Sequence, residues 1–594
     1  MLLNNRRSLT IMKEEQVQEY KQTEWNLTPL LPQGVDKAMK EVEAKVAAFE
    51  KWKPQLKNNL AEATLIKITD ELCDLLSLIS RLGHVYSLPF SIDTADPELA
   101  AKEAHITTFC TNVENRLIFF QHWFKDLPEK DALRLIAGAG KHKRVFELIW
   151  LNRQYALKEE SEQIINIKDA NGKAALKKVY TVLTSPWKYA VDGKELSRDE
   201  LMMRVMGSNA KLREEAYRKL LTKYKENKDA LGEIYRAIVM DWHAEGIQLR
   251  KFKEPLNIRN VRNDLPDKAI EALLKVTEKN HALFHRWFAF KRKQLGLKTM
   301  RRFDLYAPLA TKEDKISYDT AVKMTLAAFS RFSPDFAVHA QNVITENHVH
   351  STILPNKESG AYCASPGVDI LPYVMLNFTG TLDHTCTLAH ELGHAVHSAL
   401  AARNTIMTFH APIPLAETAS IFGETLLVES LMEAYPDRAK ELLCKRLDDA
   451  YKSAVRQIGF VLFERKAHDL IQQGKSMKDV EDAYVALLRA QLGKEVEVDD
   501  LFRNEFYSIP HIYNTPFYCY GYGFGNLMAY AFYNKFRKEG QKAVPAILDF
   551  FAKGGSEKPI EMAKAVGVDI TSEQFWQEGF DVLKESLEKL EKIK

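Results

Sequence analysis

The chain has 594 residues, 46% hydrophobic and 27% charged, a composition that excludes bulk disorder and suits several folding units or one large helical body. Its 83 basic and 80 acidic side chains leave a formal net charge of +3, too weak a field to argue for a nucleic-acid or membrane partner. Six cysteines (Cys73, Cys110, Cys363, Cys386, Cys444, Cys519) without a Cys-x-x-Cys pair exclude a disulfide framework and fit a reducing cytoplasm.

In chain order, the N-terminal MLLNNRRSLTIMKEEQ has no apolar run long enough for a signal peptide, and nowhere do 18 apolar residues follow one another, so a cytoplasmic protein without membrane spans is expected. Segments 36–50, 208–243 and 572–593 carry apolar residues three and four apart among Lys and Glu, which predicts amphipathic helices and a mostly α fold. Turn residues crowd at 168–172, 184–186 and 191–193. They place the main boundary there, between an N-terminal helical lobe, 1–190, and a larger part, 191–594.

The densest basic stretch holds Lys291, Arg292, Lys293, Lys298, Arg301 and Arg302. It reads as a solvated helix end and loop rather than a nucleic-acid surface. Residues 360–380 break the helical rule: Gly, Pro, β-branched and aromatic residues predict loop, strand, loop, with the strand at 373–378. As an edge strand it would bind an extended peptide through main-chain hydrogen bonds, and as a buried hairpin it would be purely structural.

That strand leads into His390-Glu391-Leu392-Gly393-His394. Residues four apart on a helix differ by roughly 40° of rotation and ~6 Å of rise, so both imidazoles converge on one metal while Glu391 stands beside it. Thr381, Leu382 and Asp383 supply an N-cap, and 388–400 supplies the helix. A catalytic zinc takes three protein ligands and keeps one position open. The metzincin extension needs a glycine and a histidine where His397 and Leu400 stand, so it is excluded, and His397 is expected to be packed or solvated.

After Glu391 the next acid is Glu417, in PIPLAETASIFGE at 412–424. Pro414 suits the first turn of a new helix, and Ala416, Ala419 and Ser420 are small enough for that helix to approach the first closely. Glu417 is therefore the expected third ligand. Glu424, seven residues on, is placed to hold a liganding histidine through its second ring nitrogen.

These residues resemble thimet oligopeptidase-like zinc peptidases, and more closely the oligoendopeptidase F branch. The resemblance rests on TLAHELGHAVHS at 387–398, PLAETASIFGE at 414–424, PYVMLNFTGTLDH at 372–384, KRKQLGLKTMRRFDLYAPL at 291–309 and the His511 to Tyr522 run. It implies a mostly α, elongated, multi-helical zincin body with a deep substrate channel and a small β-sheet beside the HExxH helix. It implies one Zn2+ per chain on His390, His394 and Glu417, with Glu391 as the base that activates water at the zinc. His511 and Tyr522 would serve the oxyanion, with Tyr513, Tyr518 and Tyr520 facing substrate. Because the spacing of this run differs by about one residue from the thimet branch, the oxyanion donor stays open among the tyrosines, with Tyr522 the first choice. The expected activity is endopeptidase cleavage of short unstructured oligopeptides. A helical metallocarboxypeptidase and a catalytically silent peptide-binding protein remain alternatives, and the oligomeric state is left open.

Overall fold

Helices take 73% of the chain in the computed structural model, which describes residues 19–309 and 315–593. The mostly α expectation holds. Helix α1 (Val35–Phe49) buries Ala38, Val42, Val46 and Phe49, one stripe at three- and four-residue spacing. Helix α2 (Glu62–Ile92) continues the pattern with Leu65, Ile68, Leu72, Leu75 and Leu82. Together with Phe120, Phe124 and Phe146 they form a core of their own.

A second and larger core runs from Tyr180 to Leu590. The handover falls between Phe146 and Tyr180 because Tyr180, on α3 (Lys173–Thr184), stacks on Tyr513 at 4.1 Å between ring centroids and donates its hydroxyl to the Tyr507 carbonyl at 3.0 Å. The turn expected at 191–193 closes a hairpin, with Asp192 and Gly193 at φ 51° and 70°.

A three-stranded sheet joins the two cores. Strands β1 (Val349–His350), β2 (Ala361–Ala364) and β3 (Tyr373–Leu376) lie in the order β1-β3-β2, with β1 parallel and β2 antiparallel to β3. The strand expected at 373–378 therefore exists but is central; β1 is covered by a bridge from Thr23 to His350, which leaves β2 as the open edge. Successive side chains of a strand point to opposite faces. Ala361 and Cys363 accordingly pack on the larger core and Tyr362 and Ala364 on the smaller one. The N-terminal segment is clipped to the same sheet, since Trp25 Nε1 donates to the carbonyls of His348 and Val374, each at 3.0 Å.

Helices α4 (Leu382–Ala401) and α5 (Ile413–Ala434) cross where neither carries a side chain. A Cβ on Gly393 would stand 2.6 Å from the Ala419 carbonyl oxygen, and one on Gly423 would stand 3.1 Å from that of Ala389. Helix α6 (Ala439–Ala450) follows, and α7 (Pro510–Asn514) leads into α8 (Tyr520–Glu539). On α8, Gly525 leaves room for Glu417, whose Cβ would lie 2.6 Å from an added one. Three helices thus close on Glu417 with backbone against backbone.

The basic stretch is only partly solvated. Lys293 and Lys298 are exposed, but Lys291 is fully buried with its ammonium 2.6 Å from Asp448, and Arg302 is equally buried with its guanidinium 2.7 Å from Glu505. The charges sit in the core because each has its carboxylate there, which a buried charge requires. Among the described residues no helix is long and apolar enough to cross a membrane.

Candidate active site

Thr381 caps α4 as expected, its hydroxyl accepting from the His384 N–H at 3.1 Å. The helical turn then sets the His390 and His394 rings 5.1 Å apart at 80° to one another. Pro414 lies in the first turn of α5, one turn before Glu417. Glu417 Oε2 is 3.4 Å from His390 Nε2 and 3.5 Å from His394 Nε2. The three donor atoms lie within 4.8 Å of one another. Glu424 Oε2 stands 3.5 Å from His390 Nδ1, so the imidazole is held between two carboxylates.

Two imidazole nitrogens and one carboxylate oxygen converging on one point are a donor set suited to zinc with an open fourth position. Glu391 strengthens the fit. It is 6% exposed, and its Oε2 has no hydrogen-bond partner among the described residues, an arrangement that calls for a polar occupant beside the three donors. The other trio of acidic side chains, Asp169, Asp241 and Glu245, is already answered by the Lys173 ammonium, 2.5 Å from Asp169 and 2.6 Å from Glu245.

The electrostatics follow from this crowding. Burial works against a charged His390, but hydrogen bonds with Glu417 and Glu424 outweigh it and push its pKa up to about 10. Burial likewise works to raise Glu417, yet the two imidazoles hold its carboxyl far below the usual carboxylate range. Glu391 goes the other way: burial raises it, and its charge interactions with the neighbouring imidazoles only partly oppose that. A buried carboxyl with a raised pKa beside a ligand set has the character of a general base.

The His511 to Tyr522 run divides. His511 and Tyr522 are both half-buried, with the Tyr522 hydroxyl 3.5 Å from His511 Nε2, and the Tyr518 ring packs 6.0 Å from His511 and 5.4 Å from Tyr522. Tyr522 shares a cavity of about 470 Å³ with His390, Glu391 and Glu417. Burial lowers the His511 pKa, helped by Arg198, and raises that of Tyr522, so one ring is neutral and the other keeps its proton. Tyr513 and Tyr520 do not face the cleft. Both are fully buried, Tyr513 against Tyr180 and Tyr520 with its hydroxyl accepting from Asn263 at 2.7 Å, and their expected contact with substrate is corrected accordingly. His397 is packed, its ring tilted at 55° to that of Phe551 with the centroids 5.5 Å apart.

Two contributors escaped the sequence reading. Ala361 of the edge strand lines both the 470 Å³ cavity and a second one of about 420 Å³, which also share His390, Glu391 and Glu417, so β2 runs alongside the ligands between the two halves of the cleft. Lys445 on α6 reaches Asp383 at 2.7 Å, Asp449 at 2.5 Å and Glu424 at 3.9 Å, balancing carboxylates around the histidine helix. Its position in an ordinary Lys- and Glu-rich helix carried no signal.

Residues 205–582 match Peptidase family M3. The chain belongs to this family. It is similar over 590 residues, at 25% identity, to an oligoendopeptidase F homolog of Borreliella burgdorferi, covering 96% of this chain and 98% of that one. Over 546 residues it is 24% identical to the group B oligopeptidase PepB of Streptococcus agalactiae, covering 89% and 90%. Its fold is similar to that of oligoendopeptidase-F from Enterococcus faecium, with a TM-score of 0.70 at 19% identity over 94% of this chain and 98% of that one. The protein is a metalloendopeptidase of the oligopeptidase kind.

Proposed function

We propose that this peptidase uses one zinc ion, held by His390, His394 and Glu417, to hydrolyse internal bonds of short unstructured oligopeptides in the cytoplasm. The observation that carries the reading is the unpartnered, buried Glu391 carboxylate beside three converging donors. When bound, zinc supplies Lewis acidity and lowers the pKa of water to about 7.

The residues of the chain do the rest. Glu391 accepts the proton of the attacking water and returns it to the leaving amine. Tyr522 and His511 donate to the oxyanion, and Tyr518 packs against the substrate. Main-chain groups of β2 align the peptide as an added strand next to the scissile bond. Glu424 keeps the His390 ring in register. The N-terminal core of residues 30–146 forms a wall of the channel and limits it to chains without tertiary structure.

Metal analysis of the purified protein, combined with mapping of cleavage positions in a peptide library, tests this. One zinc per chain and cuts at internal bonds are expected, together with loss of turnover on chelation and return on adding zinc. Cleavage of C-terminally amidated peptides separates an endopeptidase from an obligatory carboxypeptidase. Unchanged turnover after exhaustive chelation, or after Glu391→Gln, overturns the reading.

A further inference from the structure

Glu424 touches more than an imidazole. Its Oε2 stands 3.5 Å from His390 Nδ1, while its Oε1 stands 3.9 Å from the Lys445 ammonium. The two oxygens of one carboxylate are thus divided between a ring of the ligand set and a cation on another helix. Lys445 in turn meets Asp383 at 2.7 Å and Asp449 at 2.5 Å, and Asp449 also faces the Lys452 ammonium at 3.3 Å. Each charge in this group of five has an opposite neighbour.

Helix spacing sets the placement. Asp383 lies about two turns before His390 on α4, and Glu424 about two turns after Glu417 on α5, so each shares a helix face with a member of the ligand set. The two helices cross at Gly393 and Gly423. Lys445 of α6 enters beside that crossing, next to Glu424, and bridges one carboxylate from each helix. Its charge is secured there: burial opposes it, but the neighbouring anionic groups, Asp449 foremost, raise its pKa well above the usual lysine value.

We infer that Lys445 is a positioning residue for the metal centre: by holding Glu424 Oε1 it presents Oε2 to His390 Nδ1, which keeps the Nε2 of that ring on the point where His394 and Glu417 also converge. Loss of the partner on the second nitrogen of a liganding imidazole costs about 10- to 100-fold in metal affinity. Lys445 acts one side chain further out, so removing its charge is expected to cost about 10-fold, the low end of that range. Simple electrostatics gives the opposite sign, because deleting a cation near a cation site tightens binding. That effect is small here, since Asp383 and Asp449 already answer the ammonium and both Glu424 and the His390 ring stand between it and the metal ligands' meeting point. The sign of the change therefore separates the two. The inference rests on the reading of His390, His394 and Glu417 as a zinc site.

The test measures zinc dissociation constants by chelator competition, with circular dichroism and denaturant unfolding as checks of the fold. The proteins are wild type, Lys445→Gln, Lys445→Arg, Glu424→Gln, Asp383→Asn and the double variant Lys445→Gln/Glu424→Gln. Lys445→Gln is expected to weaken zinc binding about 10-fold, and Lys445→Arg, which keeps the charge, less than about threefold. The double variant is expected to bind no more weakly than Glu424→Gln alone, because Lys445 acts through that carboxylate. Asp383→Asn loosens the bridge to α4 but leaves Glu424 in place, and is expected to change affinity less than about threefold. Unchanged or tighter binding by Lys445→Gln, losses that multiply in the double variant, or an equal loss in Asp383→Asn overturns the positioning role and leaves the zinc reading standing. Should Lys445→Gln fail to fold, Lys445→Met takes its place in the cycle, and failure of both overturns the role in favour of a purely structural one. A wild type that binds no zinc overturns both the role and the zinc reading.

Discussion

The two halves of the proposed catalytic constellation are held in different ways. The ligand half is a backbone device: α4 and α5 cross at Gly393 and Gly423, and the histidines and Glu417 fall into place by helical spacing. The His–Tyr half stands on two helices, His511 on α7 and Tyr522 on α8, and the turn that joins them is suspended from remote side chains. Lys177 donates to the Asn514 carbonyl at 2.5 Å, Arg198 to that of Ser508 at 2.9 Å and Arg259 to that of Pro516 at 3.1 Å. The Phe517 N–H, in a residue at φ 58°, donates to the buried Glu464 at 2.8 Å. Positions set by helix geometry are robust and local. Positions set by remote side chains depend on partners more than 50 residues away.

Substitutions distinguish these two kinds of support. The largest effect belongs to the helix half: Glu391→Gln is expected to lower kcat by about 10⁴-fold with zinc content unchanged, measured by steady-state rates and metal analysis. Next comes the His–Tyr half, where Tyr522→Phe is expected to cost about 10²- to 10³-fold in kcat with little change in KM. Glu464→Leu releases the strained Phe517 turn and is expected to cost about 10-fold in kcat. Its effect should largely vanish in a Tyr522→Phe background, because both act through the same hydroxyl. Additive losses would show that the turn is not suspended as described. Tyr513→Phe, remote from the cleft, is expected to change kcat less than about threefold and to cost about 1 kcal/mol in stability, read by denaturant unfolding.

Protons sharpen the same contrast. Burial pushes the Glu464 carboxyl up to about 8, above its unfolded value, so its contribution to stability is complete at low pH and is lost as pH rises through about 8. Melting temperatures of wild type and Glu464→Gln are therefore expected to diverge between pH 5 and 8, the wild type falling and the variant staying flat. In the helix half, with Glu391 as the proposed base, its raised pKa is expected to place the acid limb of kcat/KM above the ordinary carboxylate range, read from a pH–rate profile.

The contrast also explains what the sequence disclosed. The convergence of His390, His394, Glu417 and Glu424 was legible because a helix converts spacing into direction, and Ala416, Ala419 and Ser420 announced the close crossing. The N-cap at Thr381 and the helices near 36–50 and 572–593 were legible for the same local reason. In the aromatic run spacing conveyed no direction: α7 ends at Asn514, a turn with positive φ intervenes, and Tyr513 and Tyr520 rotate into the core while Tyr518 and Tyr522 stay at the cleft. The burial of Lys291 and Arg302 was equally hidden, because their partners Asp448 and Glu505 lie far along the chain.

Strand β2 lines both cavities with Ala361 and the smaller one also with Tyr362 and Cys363, while Tyr362 and Ala364 rest on the N-terminal core. A peptide that pairs with this strand binds to a surface shared by the cleft and the lobe. Thermodynamic reciprocity then applies: whatever free energy a bound peptide contributes to one placement of residues 30–146 is returned as tighter binding whenever that placement is already adopted. Substitutions in the N-terminal core, distant from every reacting atom, become a means of tuning peptide affinity while the chemistry at Glu391 is left as it was.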